Sequence, residues 1–391
     1  MFNRAISQTI KAASQAFPAL LLMGPRQSGK TTLLKMLFPD YRYINLESPD
    51  TLLRIKSDPR GFLDSDQSHW IIDEAQNYFE LFSYLQEAID NNPLKGQFIL
   101  SGSQNFLLNE KISQTLAGRV AIFELLPLSY QEYRSNPNFQ PMKIWDYLYQ
   151  GSYPRPYHEQ MDTSIWYNSY IRTYLERDVR SLLNVRDLST FQFFIKLCAG
   201  RHGQLLNLNA LASECGISQT TATQWLSILE ASYILYLLRP HHQNFNKRLV
   251  KTKKLYFYDS AIVCHLLGIE SAEHLKIHSH RGAIFEGFVM AEILKFYYAL
   301  GKMPPLYFWR DHLGTEVDAL LEKSDKLIAI EIKSTATFTP DLLLELNKWR
   351  KIAQVSAKYG FLVYGGEESY QYDKTDIIAW NQCAEMLDKI Q

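Results

Sequence analysis

A glycine-rich loop between an apolar run and a helical run is the feature that most constrains the fold of this chain. Residues 24–31 read Gly-Pro-Arg-Gln-Ser-Gly-Lys-Thr and match the pattern G-x-x-x-x-G-K-[ST]. They follow the apolar run Ala19–Met23, which predicts a strand, and they open the predicted helix Lys30–Leu37. In a strand, loop and helix of this kind, backbone N–H groups and the helix N-terminus surround phosphate groups. The sequence therefore predicts a P-loop within an α/β domain.

The residues of this loop have distinct expected roles. We expect Lys30 to contact the β- and γ-phosphates of a nucleotide and the Thr31 hydroxyl to be a ligand of Mg²⁺. No N-K-x-D element that would select guanine occurs in the sequence, which favours ATP. The predicted nucleotide-binding residues of the loop are Gly24, Pro25, Arg26, Gln27, Ser28, Gly29, Lys30, Thr31 and Thr32.

Five short apolar runs separated by helical stretches predict a doubly wound parallel sheet over residues 1–150. An acidic pair follows the third run: we expect Asp73 to hold Mg²⁺ through water and Glu74 to orient and polarise the attacking water. The runs are Ala19–Met23, Tyr41–Leu46, Trp70–Ile72, Gln97–Leu100 and Val120–Leu125.

Two further positions near the strands are candidates for the chemistry of the γ-phosphate. Ligands bind at the carboxyl ends of strands in such a sheet, so Ser103 or Gln104 is a candidate sensor, with a plain strand-ending turn as the alternative. Arg119 could neutralise transition-state charge in its own subunit or in a neighbouring one. The alternative for Arg119 is an ion pair with a surface carboxylate.

Together these residues resemble a known class. The stretches GPRQSGKTT, WIIDEAQ, SGSQ, LAGR and ELLPLSYQEY resemble the prokaryotic AAA+ class ATPases. More closely, the chain resembles a poorly characterised subgroup with a winged-helix middle and a C-terminal domain of unknown function. The resemblance spans nearly the whole chain and implies ATP binding and hydrolysis, with Lys30, Thr31, Asp73 and Glu74 in the roles given above. The resemblance also implies a role for Arg119 toward a nucleotide, without indicating whether that nucleotide is bound by the same subunit or by a neighbouring one.

Residues 151–275 predict a helical, winged-helix-like domain. Helical periodicity covers 164–183, 187–200, 207–215 and 218–231, with Ser218 as the N-cap of the last helix. Two predicted strands, Ile234–Leu238 and Lys254–Tyr258, would form the wing. The segment 239–254 has six basic residues and no acidic one, which is typical of contacts with the phosphates of DNA or RNA. These residues are Arg239, Lys247, Arg248, Lys251, Lys253 and Lys254.

The predicted recognition helix Gln219–Ala231 weakens that interpretation, because it contains no Lys or Arg. Its polar residues could touch base edges but offer no cation to a phosphate. A role for this domain in packing or in subunit contact therefore stays open as the alternative to nucleic-acid binding.

Residues 276–391 predict a third, α/β domain. If the strands Thr315–Glu322 and Leu327–Ser334 pair as a hairpin, the alternation of their side chains brings Asp318, Glu331 and Lys333 to one side of the sheet. Two or three carboxylates with a lysine suit a hard cation such as Mg²⁺. The alternative is an exposed hairpin face on which Glu and Lys pair for little energy.

The order of helix-Glu, strand-Asp, strand Glu-x-Lys, helix and strand resembles the restriction-endonuclease-like, or PD-(D/E)xK, nuclease core. That resemblance implies Asp318 and Glu331 as metal ligands, Lys333 as the catalytic lysine and Glu286, in the preceding helix, as an accessory ligand. The sequence departs from the pattern at Val317, where the motif has a proline.

Composition limits the remaining possibilities. The 391 residues include 41 Lys and Arg and 41 Asp and Glu, so the net charge of zero does not indicate nucleic-acid or membrane binding by the whole chain. No apolar run approaches the ~18 residues of a membrane-spanning helix, the N-terminus does not resemble a signal peptide, and the four cysteines form no C-x-x-C pair. We therefore expect a cytoplasmic protein without a membrane partner.

Our function hypothesis is a P-loop ATPase that couples ATP binding or hydrolysis to a C-terminal nuclease-like domain acting on DNA or RNA, with ATP and Mg²⁺ as cofactors. The alternative is an ATP-dependent molecular switch whose C-terminal domain is catalytically silent and binds a protein or nucleic-acid partner. A homo-oligomer is compatible with both.

Overall fold

The computed structural model describes residues 2–64, 69–103, 115–174, 188–241, 250–323, 326–354 and 359–391. The chain divides into two compact units. The first comprises Met1–Leu128, Ala231–Tyr233 and Tyr297–Met303, and the second comprises Ser129–Glu230, Ile234–Phe296 and Pro304–Gln391. Most of the residues predicted as middle and C-terminal domains therefore belong to one unit, and the predicted boundaries near 150 and 275 stay predictions.

The first unit contains a five-stranded parallel sheet with the strand order β2-β3-β4-β1-β5. Strands β1, β3 and β4 are buried along their whole length, because apolar strands of a parallel sheet have both faces covered. The parallel sheet predicted from the sequence is confirmed. Its strands are β1 (Ala19–Met23), β2 (Arg42–Asn45), β3 (Trp70–Asp73), β4 (Phe98–Gly102) and β5 (Val120–Glu124).

Helices complete this unit, and the predicted helix Lys30–Leu37 is confirmed. Leu33 and Leu34 on that helix belong to the same buried cluster as Leu20 and Leu22 of β1, which anchors the helix that follows the P-loop to the core. The helices are α1 (Ser7–Ser14), α2 (Lys30–Leu37), α3 (Pro49–Ser57), α4 (Pro59–Asp64) and α5 (Leu81–Asn91).

The second unit begins with short helices and contains a three-stranded antiparallel sheet of order β6-β8-β7. The backbone N–H of Thr221 donates to Ser218 Oγ over 3.0 Å, so the predicted N-cap is confirmed. The predicted extension of one helix to residue 183 lies outside the described residues, and the winged-helix interpretation stays a prediction. The strands are β6 (Gln204–Leu205), β7 (Leu235–Leu238) and β8 (Lys254–Phe257).

Helices precede and follow these strands in the second unit. They are α6 (Tyr130–Arg134), α7 (Ile144–Gln150), α8 (Pro154–His158), α9 (Thr163–Tyr174), α10 (Leu188–Ala199), α11 (Leu208–Glu214), α12 (Gln219–Ala231), α13 (Ser260–Leu266), α14 (Ala272–Ile277), α15 (Arg281–Ala299), α16 (Leu344–Ala353) and α17 (Cys383–Ile390). None of the helices in the described ranges is long and apolar enough to cross a bilayer.

A six-stranded mixed sheet of order β13-β14-β12-β11-β10-β9 forms the C-terminal part of this unit. Strands β10 and β11 pair as the predicted antiparallel hairpin, and β11, β12 and β14 run parallel. Trp349 and Leu346 of α16 pack on this sheet. The strands are β9 (Leu306–Arg310), β10 (Glu316–Lys323), β11 (Lys326–Lys333), β12 (Gly360–Tyr364), β13 (Tyr370–Tyr372) and β14 (Thr375–Ala379).

Strand β10 is irregular where it carries its aspartate. The register between β10 and β9 shifts by one residue between Val317 and Leu320, so Asp318 lies at a β-bulge. Bulges twist a strand and re-aim its side chains, and they are frequent beside active sites. The nuclease-like interpretation of this part stays a prediction, although its predicted elements are all present.

Candidate functional sites

The loop between β1 and α2 has a backbone that only glycine allows at its first position. Gly24 has φ of +152°, and a Cβ atom there would collide with the carbonyl oxygen of Leu125, the residue that follows β5. Gly29, with φ of +96°, precedes the first residue of α2. The chain therefore turns sharply between strand and helix and places the N-terminus of α2 at the carboxyl edge of the sheet.

Lys30 is held inside this loop. It is only 5% exposed, and its Nζ donates to the carbonyl oxygens of Gly24 and Pro25 over 2.8 Å each. Burial lowers the pKa of Lys30 to about 8, although the nearby Glu74 and Asp73 carboxylates oppose this effect. An ammonium group in such a place is poorly solvated, and the oxygens of a phosphate would compensate it better than two carbonyls do.

Three hydroxyl groups converge on Asp73, at the end of β3. Its Oδ2 accepts hydrogen bonds from Thr31 Oγ1 over 2.6 Å and from the Tyr43 hydroxyl over 2.9 Å, and its Oδ1 accepts one from Ser101. The two predicted Mg²⁺ ligands, Thr31 and Asp73, are thus in direct contact. Neither Tyr43 nor Ser101 was identified from the sequence, because their proximity to Asp73 follows from the strand order, in which β2 and β4 flank β3.

Glu74 is held by two polar neighbours. Its backbone is left-handed, with φ of +54°, and its Oε2 accepts hydrogen bonds from Gln76 Nε2 and, over 3.2 Å, from Ser103 Oγ. Ser103, the candidate sensor, therefore lies beside the candidate catalytic glutamate. Gln104 lies outside the described residues.

The remaining loop residues have structural contacts of their own. Arg26 forms an ion pair with Glu47 at 3.5 Å, and Thr32 is exposed on α2. Ser28 is fully buried, and its Oγ has no hydrogen-bond partner among the described residues. Arg4 was not predicted as a site residue. It donates to the carbonyl oxygen of Ser28 over 2.8 Å and so stabilises the conformation of the loop.

Arg119 lies at the opposite edge of the sheet from the P-loop. It precedes β5, and its carbonyl oxygen accepts from Ala19, the first residue of β1. The P-loop begins after Met23, at the other end of the five-residue strand β1. A strand of that length separates Arg119 from the P-loop by about 15 Å. The guanidinium donates to both oxygens of Asp90, over 2.6 and 3.0 Å. The ion-pair alternative is thus what the structure contains, and this placement does not support a role toward the nucleotide of the same subunit.

A second cluster lies on the hairpin of β10 and β11. Register places Asp318 opposite Glu331, because Ala319 pairs with Ile330. Lys333 Nζ is 2.5 Å from Glu331 Oε1 and 3.7 Å from Asp318 Oδ2, and Asp318 Oδ2 also accepts from the backbone N–H of Ile332 over 2.9 Å. The predicted meeting of Asp318, Glu331 and Lys333 on one side of the hairpin is therefore present.

This cluster is buried, so the alternative of an exposed surface pair is wrong. Asp318 is 9% and Glu331 2% exposed, and Glu331 Oε2 has no hydrogen-bond partner among the described residues. Burial, together with the charge of Asp318, raises the pKa of Glu331 to about 8. Although burial alone would lower it, the two carboxylates raise the pKa of Lys333 above its ordinary value.

Glu286, on α15, has partners that the sequence did not predict. Its Oε1 accepts from Lys254 Nζ over 3.1 Å and from the Tyr256 hydroxyl, both on β8. Lys254 also pairs with Glu316, which Arg310 contacts over 2.8 Å. Burial raises the pKa of Glu286 to about 7, with Lys254 acting against that rise.

These contacts correct the prediction for Lys254. Lys254 is 3% exposed and paired with carboxylates, so it is not part of a basic surface that binds phosphates. In the parts of the chain that the structure describes, no three or more His, Cys, Asp or Glu side chains are arranged to hold a metal ion, and the role of Glu286 as an accessory ligand stays a prediction. Of the other basic residues of 239–254, Arg239 and Lys251 are exposed and Lys253 is half-buried, while Lys247 and Arg248 lie outside the described residues.

Family comparison divides the chain into three matched segments. Residues 16–134 match the family described as "AAA domain". Residues 142–273 and 281–383 match two families described as domains of unknown function, DUF8612 and DUF4143.

Relatives match most of the chain. It is 31% identical over 340 residues to the uncharacterized protein Rv2008c of Mycobacterium tuberculosis and equally to the uncharacterized protein Mb2031c of Mycobacterium bovis, with 86% of this chain and 74% of each relative covered. An uncharacterized protein of Haemophilus influenzae is 24% identical, with 87% of this chain and 89% of that protein covered.

Among solved structures, the Walker-type ATPase paby2304 of Pyrococcus abyssi is similar over 68% of this chain and 96% of its own, at 16% identity and a TM-score of 0.45. The family match and the P-loop geometry agree on the first segment, and the mycobacterial relatives extend the likeness beyond it. The chain therefore belongs to the same family as the mycobacterial protein Rv2008c, and its N-terminal part is a P-loop ATPase domain of the AAA type.

Proposed function

We propose that this chain is an ATPase whose nucleotide cycle controls a Mg²⁺-dependent nuclease-like centre, in the second unit, that acts on DNA or RNA. The observation that supports the second half is the buried group of Asp318, Glu331 and Lys333 with an unpartnered oxygen on Glu331. Leaving such an atom unpaired costs roughly 1–3 kcal/mol, which a purely structural hairpin has no reason to sustain.

In the ATPase domain, each P-loop residue has a proposed task. Gly24 to Thr32 surround the phosphates, with Lys30 transferring its hydrogen bonds from loop carbonyls to phosphate oxygens. Thr31 and Asp73 would hold Mg²⁺, since a hydroxyl and a carboxylate 2.6 Å apart can share one small cation. Glu74 orients the attacking water once it leaves Gln76 and Ser103, and Ser103 reports on the γ-phosphate.

We propose that Arg119 acts on the nucleotide of a neighbouring subunit, which its distance from its own P-loop favours. It would have to leave Asp90 to do so, and an exposed ion pair of this kind holds little energy. The specific ATPase activity should then rise with protein concentration and lose that rise in Arg119→Ala. A flat activity over a hundredfold range of concentration would contradict this role.

In the nuclease-like centre, Asp318 and Glu331 would hold Mg²⁺, which suits one or two carboxylates completed by water and substrate phosphate. When bound, the ion polarises a phosphodiester and lowers the pKa of water. Lys333, beside both carboxylates, donates to the attacking water or to the oxygen on which negative charge develops. Residues 239–254, without Lys254, are the proposed contact with the nucleic-acid backbone.

A cleavage assay tests this proposal. Plasmid, linear and single-stranded DNA and RNA are incubated with Mg²⁺ or Mn²⁺, with and without ATP. We expect cleavage by the wild-type protein and its loss in Lys333→Ala and Glu331→Ala, while ATPase activity survives. Lys326→Ala, an exposed lysine at the start of the same strand, is the matched control and should cleave normally. Undiminished cleavage by Lys333→Ala would overturn the site.

The second candidate is the ATP-dependent switch with a silent C-terminal domain. The burial of Lys254 favours it, because the basic segment has one fewer cation for a nucleic acid than its sequence indicates. No cleavage under any condition, with ATPase activity intact, would support this candidate over the first.

A further inference from the structure

A lysine from the middle of the chain is buried against the carboxylates of the C-terminal centre. We infer that Lys254 is a positioning residue of that centre: it holds Glu286 in place beside Asp318 and Glu331 and sets the charge against which a divalent cation must bind. This inference rests on the proposed function of the centre. It also means that the centre is built jointly by the two segments that match separate domains of unknown function.

The geometry shows one oxygen of Glu286 held from two sides. Lys254 and Tyr256 are two residues apart on β8, so their side chains lie on the same face of that strand. Both donate to Glu286 Oε1, and none of the described hydrogen bonds uses Oε2. Two donors on one oxygen fix the rotation of the carboxylate and leave Oε2 without a hydrogen bond from the described residues.

Charge gives the second argument. The carboxylates around Lys254 outnumber the cations, so several negatively charged groups attract this lysine from different sides. The carboxylates are Glu286 on α15, Glu316 and Asp318 on β10 and Glu331 on β11, and the cations are Lys254, Arg310 on β9 and Lys333. Without Lys254, Glu286 would be left buried with only the Tyr256 hydroxyl.

Stability alone is a weak reason to keep such a group. Replacing a buried ion pair by well-packed apolar residues is often neutral or stabilising. Lys254 pairs with two carboxylates, and those of Asp318 and Glu331 lie next to them. Such a lysine suits a site in which the repulsion between carboxylates must be compensated while no metal ion is bound. Lys254 compensates part of the negative charge that would otherwise attract a divalent ion.

The test is a Mn²⁺ titration of the full chain by calorimetry, combined with cleavage kinetics and thermal unfolding. The variants are Lys254→Met, Lys254→Arg and the exposed control Lys251→Met. Each is measured with and without Asp318→Asn, so that Mn²⁺ bound at the C-terminal centre is separated from Mn²⁺ bound near the P-loop. ATPase activity is followed in parallel and should not change.

We expect Lys254→Met to bind Mn²⁺ about tenfold more tightly at the Asp318-dependent site, because a competing cation is gone. Its cleavage turnover should fall at least about a hundredfold, because Glu286 is no longer positioned. Lys254→Arg should restore much of the turnover, and Lys251→Met should match the wild type in both measurements.

A merely structural lysine would behave differently. Lys254→Met would then melt at lower temperature and bind Mn²⁺ equally or more weakly, which would overturn the inference. If that variant does not fold, Tyr256→Phe decides instead: it removes one bond to Glu286, and an unchanged turnover and pH profile would refute the positioning of Glu286. If the wild-type protein cleaves nothing, the proposed function fails, but the Mn²⁺ affinities still test Lys254.

Discussion

Nucleotide binding to this protein should be accompanied by the uptake of a proton at Lys30. Burial lowers the pKa of this lysine to about 8 in the free protein, and the negative charges of bound phosphates should return it to its ordinary range. At pH 8 the free protein is then about half protonated at Lys30 and the complex fully protonated, so about half a proton is bound with each nucleotide. Affinity should fall about tenfold between pH 7 and pH 9 as the free lysine loses its charge.

The same shift predicts how stability depends on pH. Between about pH 8 and the ordinary lysine pKa of 10.5, the unfolded chain binds more protons at Lys30 than the folded one. The free energy of unfolding should therefore rise with pH through this window. Relative to Lys30→Met, in which the group is absent, the rise should amount to about 3 kcal/mol, because the shift is about 2.5 pKa units.

Calorimetry in pairs of buffers with different ionisation heats, at pH 7.5, 8 and 9, measures the proton uptake directly. Lys30→Arg is the matched control, since a guanidinium stays protonated and should show no uptake at this position. Denaturant unfolding of the wild type and Lys30→Met over the same pH values measures the stability term. Nucleotide binding without proton uptake at pH 8, or an affinity independent of pH up to 9, would refute the argument from burial.

Three further predictions concern single residues. Gly24→Ala should lose nucleotide binding and about 3 kcal/mol or more of stability in denaturant unfolding, because its Cβ meets Leu125, whereas Gly118→Ala, with open space around it, should lose less. Tyr43→Phe should cost about 1 kcal/mol and raise the Mg²⁺ concentration needed for ATP turnover, because one bond to Asp73 is lost, and an unchanged Mg²⁺ dependence would contradict this. Glu331→Gln should have the same stability as the wild type in thermal unfolding at pH 5 and be more stable by about 2–4 kcal/mol at pH 9. The reason is that the raised pKa of Glu331 makes the wild type lose stability as pH rises from about 4.5 to 8. Equal stability of the two proteins at pH 9 would contradict this.

Local sequence patterns predicted the parts of this molecule that depend on consecutive residues. The strand, loop and helix from Ala19 to Leu37 appear with the predicted bounds, because glycine conformations and apolar runs act within a few residues. The hairpin that joins Asp318 to Glu331 was also predictable, because side chains alternate with a period of two and the strands are neighbours in sequence.

Other contacts were decided only by the tertiary structure. Ser101 reaches Asp73 because β4 lies next to β3, and Arg119 lies far from the P-loop because it precedes β5 rather than following it. Lys254 looks like part of a basic surface in the sequence, yet it is buried between Glu286 and Glu316. The sequence by itself thus determined the local elements and the residues at their ends, since backbone conformation and side-chain alternation depend on neighbours in the chain. Only the tertiary structure decided which of those residues meet, because strand order and the burial of a charge depend on segments that are far apart in the sequence.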